Sequence, residues 1–246
     1  MNAIEENQFV NGFRVIAKTI AKPLAVLCVS AHWETKGTFV TAMDNPKTIH
    51  DFFGFPEELY QIQYPAPGSP SLAKEIKNLI KKTKVGLNYD WGLDHGCWIV
   101  MKHFFPNADL PIVQLSLDHF QPAQFHYDLA KELSALRSKG VLIVCSGNMV
   151  HNLALVDWDR LDESEFGYDW ALEAREKMKD YILGNNHSAL INYQLQGRAF
   201  DLAIPTSEHY VPLLYALALK GANEKITIFN DKPVGGSVTM TSLQIG

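Results

Sequence analysis

Short apolar runs alternate along the chain with segments whose apolar residues recur at helical spacing. The apolar runs predict strands at 24–30, 38–43, 111–117, 141–146, 225–229 and 237–243. The helical spacing predicts helices at 3–21, 71–82, 95–105, 122–139, 168–183 and 209–220. The first, third and fourth of these strands are continuous runs rich in Val, Leu and Ile, which is typical of strands buried on both faces. The alternation predicts an α/β fold with a mostly parallel or mixed central sheet flanked by helices.

The segments belong to one unit rather than several. The chain has 246 residues, of which 47% are hydrophobic, so a sizeable core is expected. It contains no internal repeat and no linker, and we therefore expect a single domain over residues 1–246. A long stretch at 46–70 is rich in Phe, Tyr, Pro and Gly. Because loops of this length in compact domains are usually functional, this aromatic loop is expected to cover a pocket.

Charge and cysteine content narrow the classes of partner and compartment. A net charge of -5 argues against a general nucleic-acid binder, which usually carries a basic face. The chain has no apolar stretch of the ~20 residues that a membrane helix needs, so no membrane contact is expected. The first residues lack the basic start and apolar centre of a signal peptide. Three separated cysteines without a CxxC pair indicate free thiols and a cytoplasmic protein.

Four histidines carry the strongest chemical signal. His32 and His151 follow predicted strands, whereas His95 and His209 lie at the starts of predicted helices. In open α/β sheets, ligands bind in the crevice beyond the carboxyl ends of the strands. Each histidine alone has a structural alternative, as a hydrogen-bonded core residue or a helix-start residue. Imidazole serves both metal binding and proton transfer near neutral pH, so the four together predict a metal or acid/base site.

The motifs around these histidines extend over nearly the whole chain. They are Ser30-Ala31-His32-Trp33, Thr48-Ile49-His50-Asp51-Phe52, Tyr64-Pro65-Ala66-Pro67-Gly68, Trp91-Gly92-Leu93-Asp94-His95-Gly96, Gln114-Leu115-Ser116, Ser146-Gly147-Asn148, His151-Asn152 and Glu208-His209-Tyr210. In the number and order of these motifs, the chain resembles the LigB-like extradiol ring-cleavage dioxygenases, and most closely their DOPA 4,5-dioxygenase branch. The resemblance implies a LigB-like domain that opens the ring of DOPA or a related catechol with O2.

The resemblance also implies a mononuclear site for Fe(II), which Zn(II) often occupies instead in this branch. His32 and His209 would be metal ligands, and His151 a further ligand or the base that takes a catechol proton. His95 would be an acid/base or oxygen-orienting residue beside them. Fe(II) with open positions suits catechol and O2, whereas Zn(II) has no redox chemistry. The substrate-binding residues would be apolar walls, a histidine of the aromatic loop and an amide: Trp33, Phe52, His50 and Asn148.

One part of the family pattern is absent from this sequence. Members of the branch begin with a strand ending in His-Gly-Ser-Pro, whose His is a metal ligand, just ahead of a segment like residues 1–5. The sequence starts after that place, and residues 1–31 contain no histidine. Either the sequence is truncated, or the natural protein lacks the strand. In both cases we expect a LigB-like domain without its first strand, and weaker metal binding than in full-length relatives.

Two other functions compete with ring cleavage. The first is a non-catalytic binding protein similar to the Memo proteins, which share the fold. Retention of His32, His151 and His209 together with the aromatic loop argues against it. The second is a zinc-dependent hydrolase, in which an open metal position activates water. The lack of an HExxH or similar hydrolytic motif argues against that function. The oligomeric state stays open at this level.

Overall fold

A computed structural model describes residues 3–163 and 165–246 of the chain. The strands are β1 (Ala25–Thr35), β2 (Thr38–Thr41), β3 (Lys47–Thr48), β4 (Val85–Asn88), β5 (Gly92–Leu93), β6 (Ile112–Asp118), β7 (Val141–Ser146), β8 (Ile226–Phe229), β9 (Pro233–Val234), β10 (Val238–Thr239) and β11 (Ser242–Ile245). The helices are α1 (Gln8–Ala17), α2 (Glu57–Tyr60), α3 (Pro70–Leu79), α4 (His95–Phe104), α5 (Ala123–Lys131), α6 (Ser134–Ser138), α7 (Asp169–Leu183), α8 (His187–Ile191), α9 (Arg198–Ala203) and α10 (Val211–Ala218). None of the helices within the described ranges combines the length and apolar character needed to cross a bilayer.

The central sheet has five strands in the order β4-β2-β6-β1-β7. Strand β1 runs parallel to both β6 and β7, and β2 runs parallel to β4 but antiparallel to β6. This mixed sheet with helices around it confirms the predicted fold class. Successive side chains of a strand point to opposite faces, and β1 feeds two cores in that way. Leu27 and Val29 pack with α3, α5 and α10, whereas Val26 and Cys28 pack against α4.

The structure differs from the predicted elements at several boundaries. Helix 3–21 is shorter, as α1, and segment 122–139 divides into α5 and α6. The predicted strand 237–243 divides into β10 and β11, which belong to separate two-stranded sheets. Strand β1 continues past Ser30 to Thr35, so His32 lies inside it rather than after it. Pairing explains this, because β1 meets β6 again at Glu34 after a break in register that starts beyond Val29.

The aromatic loop contains more regular structure than its composition predicts. It includes β3, which pairs with β5, and the single turn α2. The Tyr64 hydroxyl donates to the carbonyl of Phe105 at 2.7 Å, which fastens the loop to the end of α4. Phe52 is 8% exposed, whereas its neighbour Phe53 is 92% exposed. The loop therefore packs on α4 with one aromatic face and presents another to solvent.

A cavity of about 840 Å³ lies along the outer side of β7. Among the described residues, β7 pairs only with β1, and β11 pairs only with β8. Both strands line the cavity, together with Phe13 and Ile16 of α1. His32, His151 and His209 line it as well, where the chain continues beyond the carboxyl end of β7. The sheet thus has an apolar edge that leads directly to the histidines.

Candidate active site

The fold brings all four predicted histidines together. The ring centroids of His32 and His95 are 3.8 Å apart, and those of His151 and His209 are 3.6 Å apart. His32 also meets His209 edge to face at 5.0 Å. The first pair comes from β1 and the start of α4, and the second from the segments after β7 and before α10. The rings form one contiguous cluster at the carboxyl edge of the sheet.

A glycine allows the start of α4 to lie directly on β1. A Cβ at Gly96 would stand 2.5 Å from the Ser30 Oγ and 2.8 Å from the His32 Cδ2, closer than real Cβ contacts. Any larger residue would push the helix away from the strand. Gly96 therefore sets the short distance between His95, its neighbour in sequence, and His32.

A second glycine performs the same task on the other side of the cluster. A Cβ at Gly147 would lie 2.3 Å from the backbone oxygen of His209. The next residue, Asn148, donates its backbone N–H to that oxygen at 2.9 Å. Its side-chain Oδ1 is 3.3 Å from the His209 Nδ1, and its Nδ2 donates to the Thr239 carbonyl at 2.8 Å. The turn after β7 thus holds the backbone and the ring of His209.

Asp51 is a site residue that the sequence reasoning missed. Its Oδ1 accepts the backbone N–H of His95 at 2.9 Å. Its Oδ2 lies 2.9 Å from the Nδ1 of His95 and 3.7 Å from the Nδ1 of His32. The first Nδ1 contact is short but off-axis, since no described residue forms an aligned hydrogen bond with that nitrogen. Burial raises the pKa of Asp51, but the contacts with His95 outweigh it and leave the pKa below its ordinary value.

A buried polar network lies behind the same two histidines. Asp94 accepts the Ser30 hydroxyl at 2.7 Å and the Gln114 amide at 2.7 Å. It also caps α4 by accepting the backbone N–H of Cys97 at 3.0 Å, as the helix-start pattern predicts. Burial raises the pKa of Asp94, and the hydrogen bonds from Gln114 and Ser30 oppose that rise. The network joins β1, β6 and α4 directly beneath the histidine cluster.

The surroundings of His32, His151 and His209 lower the pKa values of these three imidazoles. Burial, followed by the nearby His95, lowers the pKa of His32 to about 4. Burial and the surrounding histidines lower the pKa of His209 to about 2. Burial lowers the pKa of His151 as well. At neutral pH these three rings therefore present unprotonated nitrogens, which is the form that binds metal.

The donor set fits a divalent transition metal. Two groups of side chains bring possible ligand atoms within 4.8 Å of one another: His32, Asp51 and His95, and His151, Glu208 and His209. Each group has two imidazoles and one carboxylate, the ligand types used by non-haem Fe(II) oxygenases. The ligand set implied by the resemblance, His32, His209 and His151, draws on both groups and stays a prediction.

The four predicted substrate-binding residues have different surroundings. Phe52 lines the cavity and meets the His95 ring edge to face at 5.4 Å. Asn148 lines the cavity too, although its polar atoms already contact His209 and Thr239. Trp33 stacks on Trp91 at 5.7 Å, and the His50 Nε2 contacts the carbonyl of Ile62 at 2.9 Å. Trp33 and His50 lie outside the cavity lining given by the described residues, and their substrate roles stay predictions.

A cluster of imidazoles and carboxylates at the carboxyl edge of a mixed sheet is typical of a class, the metal-dependent α/β enzymes. Within that class, residues 2–237 match the family model for the catalytic LigB subunit of aromatic ring-opening dioxygenase. The chain belongs to this LigB family, whose members are metal-dependent.

Named relatives and a solved structure agree with the family. The chain is 44% identical over 250 residues to the 4,5-DOPA dioxygenase extradiol of Escherichia coli K12, covering 100% of the chain and 91% of that protein. It is 34% identical over 230 residues to the enzyme of the same name from Mirabilis jalapa, covering 92% of the chain and 84% of the relative. A crystal structure of an uncharacterised protein from Escherichia coli K12 superimposes with a TM-score of 0.85 at 39% identity. That match covers 99% of the chain and 94% of that structure.

These similarities confirm three predictions made from the sequence. The family and its DOPA dioxygenase branch are confirmed, and so is the α/β fold class. The chain is an extradiol ring-opening dioxygenase, an enzyme that takes a small molecule and O2. The Memo-like binding protein and the zinc hydrolase find no support among these matches.

Proposed function

We propose that the protein opens the ring of DOPA or a related catechol at a mononuclear non-haem Fe(II) site. The observation that carries this proposal is the convergence of His32, His95, His151 and His209 into one cluster of adjoining rings. The names of the relatives at 44% and 34% identity support DOPA as the substrate. The semialdehyde formed by extradiol cleavage is expected to be yellow.

His32 and His209 would hold the iron, with His151 as a further ligand or as a base. Fe(II), when bound, supplies the redox chemistry that couples the catechol to O2. Zn(II) can occupy the same nitrogens but has no redox chemistry, so a zinc-loaded protein would bind catechol without cleaving it. The lowered pKa values of His32 and His209 support this assignment, since protons do not compete for either ring at neutral pH.

His151 would take a proton from the catechol. Its ring is half-buried and stacks on the His209 ring at an interplanar angle of 8°. Because burial lowers its pKa, a ring nitrogen is free to accept a proton at neutral pH. Its backbone N–H donates to the carbonyl of Ala203 at 2.9 Å, which anchors the residue beside the cluster. His95, on the opposite side, would return or orient protons during ring opening.

Aromatic side chains would bind the catechol ring. Phe52 and Phe55 line the cavity and contact each other edge to face at 5.4 Å. An apolar wall of this kind binds a flat aromatic ring and keeps water away from the reacting atoms. The exposed Phe53 lies between them in sequence and offers no such wall. The aromatic loop would thus supply one side of the pocket.

The cavity beside β7 would accept the further strand that the resemblance implies. Its lining includes the free sides of β7 and β11, so a strand there would pair with one or both. A histidine at its carboxyl end would reach the cluster, since β7 itself leads to Gly147 and His151.

A cytoplasmic location completes the proposal. The free thiols of Cys28, Cys97 and Cys145 support a reducing compartment. The net charge of -5 gives no support for a nucleic-acid partner.

Oxygen uptake tests the proposed reaction. Protein loaded anaerobically with Fe(II) is mixed with DOPA in an oxygen electrode, and the zinc-loaded protein serves as control. Uptake with a yellow product in the iron form alone is the expected result. No uptake in the iron form, with catechol binding intact in the zinc form, would contradict ring cleavage by this chain.

A further inference from the structure

Asp51 contacts two of the four histidines through the same type of nitrogen. Its Oδ2 lies 2.9 Å from the Nδ1 of His95 and 3.7 Å from the Nδ1 of His32. The two rings are neighbours, with centroids 3.8 Å apart and planes inclined at 45°. One carboxylate therefore lies behind both rings, on the side of their Nδ1 atoms.

The position of this carboxylate is fixed by more than these contacts. Its Oδ1 accepts the backbone N–H of His95 at 2.9 Å, at the first residue of α4. The following residue, Phe52, packs its ring edge on the same histidine. Asp51 is also largely buried, with 18% of its side chain exposed. The aromatic loop is thereby joined to α4 and to β1 at a single side chain.

A different group stands behind His209. There the Nδ1 atom faces the Oδ1 of Asn148 at 3.3 Å, so the partner is a neutral amide. Both groups lie on the Nδ1 side of their rings, Asp51 as a nearby charge without an aligned hydrogen bond and Asn148 as a hydrogen-bond partner, so Nε2 lies on the side away from them. Histidines that bind metals usually donate their other ring N–H to a carboxylate or carbonyl, which fixes the tautomer and ring orientation.

We propose that Asp51 is a positioning residue whose negative charge, close to both Nδ1 atoms, favours the Nδ1–H tautomer of His32 and His95 and leaves the Nε2 of each available to the site. The catalytic part of this inference rests on the proposed function, because it concerns the same cluster. The negative charge also makes the imidazole of His32 a stronger electron donor. Asp51 would thus influence the reaction through the two histidines, without contacting the substrate itself.

Nitrogen NMR on the metal-free protein tests the tautomers directly. Long-range ¹H–¹⁵N spectra at pH 8 are expected to show the Nδ1–H form for His32 and His95. In Asp51→Ala and Asp51→Asn the Nε2–H form should grow, whereas Asp51→Glu should restore much of the Nδ1–H form. Asp90→Asn, a change at an exposed carboxylate, is the matched control and should leave both tautomers unaltered. Unchanged tautomers in both Asp51→Ala and Asp51→Asn would overturn the proposal.

Metal affinity supplies a second measurement. Zn(II) binding by chelator competition is expected to weaken by roughly 10–100-fold in Asp51→Asn, as for other groups that orient metal-binding histidines. Circular dichroism and the melting temperature of the variant check that the fold persists. An affinity within about twofold of the wild type, in a folded variant, would contradict a positioning role.

The two proposals fail in different ways. If the iron-loaded wild type takes up no oxygen, the proposed function fails, but the tautomers of the metal-free chain still decide the role of Asp51. If the wild type is active, Asp51→Asn should lower kcat more than it raises KM. A variant with wild-type kcat and unaltered tautomers would remove the inference about Asp51 and leave the dioxygenase assignment intact.

Discussion

The two halves of the histidine cluster are built in different ways. In one half, the rings of His32 and His95 tilt at 45° over a shared carboxylate, Asp51. In the other half, His151 and His209 stack at 8° and are held mainly by backbone hydrogen bonds and the Asn148 amide. The first half relies on a charge and the second on backbone geometry. We therefore expect the halves to respond to different kinds of substitution.

The pKa values of His32 and His209 also differ between the two halves of the cluster. Burial and the nearby His95 lower the pKa of His32, the charge of Asp51 partly offsets them, and the resulting pKa is about 4. His209 has no such compensation among its leading influences, and burial with three neighbouring histidines lowers its pKa to about 2. The comparison shows how a carboxylate moderates the cost of burying a histidine. It also implies that the two rings donate electrons to a metal unequally.

The largest effect is expected from the stacked half. His151→Ala removes the proposed base, and general acid–base groups typically contribute 10²–10⁴-fold to rate. The rate of ring cleavage, followed by oxygen uptake with DOPA, should fall by about that factor. His119→Ala, a change at a more exposed imidazole outside the cluster, is the control. A loss of only a few-fold would show that His151 is neither base nor ligand.

Glycine substitutions are expected to have the next largest effect and to distinguish the two halves of the cluster. Gly147→Ala places a methyl group 2.3 Å from the His209 backbone oxygen, whereas Gly96→Ala meets side-chain atoms first. We expect roughly 1–3 kcal/mol of lost stability for Gly147→Ala, typical of overpacking, and less for Gly96→Ala. Urea unfolding of both variants measures the difference. A larger loss for Gly96→Ala would show that the half with His32 and His95 depends more on backbone geometry than the stacked half does.

Stability should also depend on pH through the depressed pKa values. The unfolded histidines titrate near 6.5, above the folded values of about 4 for His32 and about 2 for His209. Below pH 6.5 the unfolded chain binds protons that the folded chain does not, so stability falls as the pH falls. The loss between pH 7.5 and 5.5 is on the order of 3 kcal/mol for the two groups. Urea unfolding of the metal-free protein gives the profile, and His209→Asn should flatten it. A profile equally steep in that variant would contradict the assignment.

The smallest effect is expected at Asn148, the neutral side chain that contacts His209. Asn148→Ala removes the side-chain contacts with His209 and Thr239 but keeps the backbone hydrogen bond to His209. The free energy of unfolding should fall by about 1 kcal/mol, typical of one or two net hydrogen bonds. A loss of several kcal/mol would mean that the side chain, and not the backbone, holds the second half together.

The sequence predicts the scaffold better than it predicts the details of the site. Continuous apolar runs identify β1, β6 and β7, because burial on both faces leaves no polar position to obscure them. The four histidines stand out in the sequence because each follows a predicted strand or lies at the start of a predicted helix. Asp51 does not stand out, since an acid in a loop is ordinarily solvated. Its partner His95 is 44 residues away, and only the folded loop brings them together.

Other misses have similar physical causes. Gln114 is a polar residue inside an apolar run, and its role becomes visible only through its hydrogen bonds with Asp94. The continuation of β1 through His32 depends on its renewed pairing with β6 at Glu34 and Thr35, which residue periodicity does not encode. The division of segment 122–139 into two helices leaves no break in the apolar pattern. Long-range pairing and packing thus decide the features that the sequence leaves open.

The break in register within β1 separates the segment around His32 from the paired parts of the strand. Between Val29 and Glu34 the strand advances five residues while β6 advances two, from Leu115 to Leu117. A slip of one residue in a regular strand turns every following side chain to the other face. Here the extra length around His32 absorbs such changes between two firmly paired ends. The segment around His32 can therefore change its local conformation without shifting the register of the paired residues on either side.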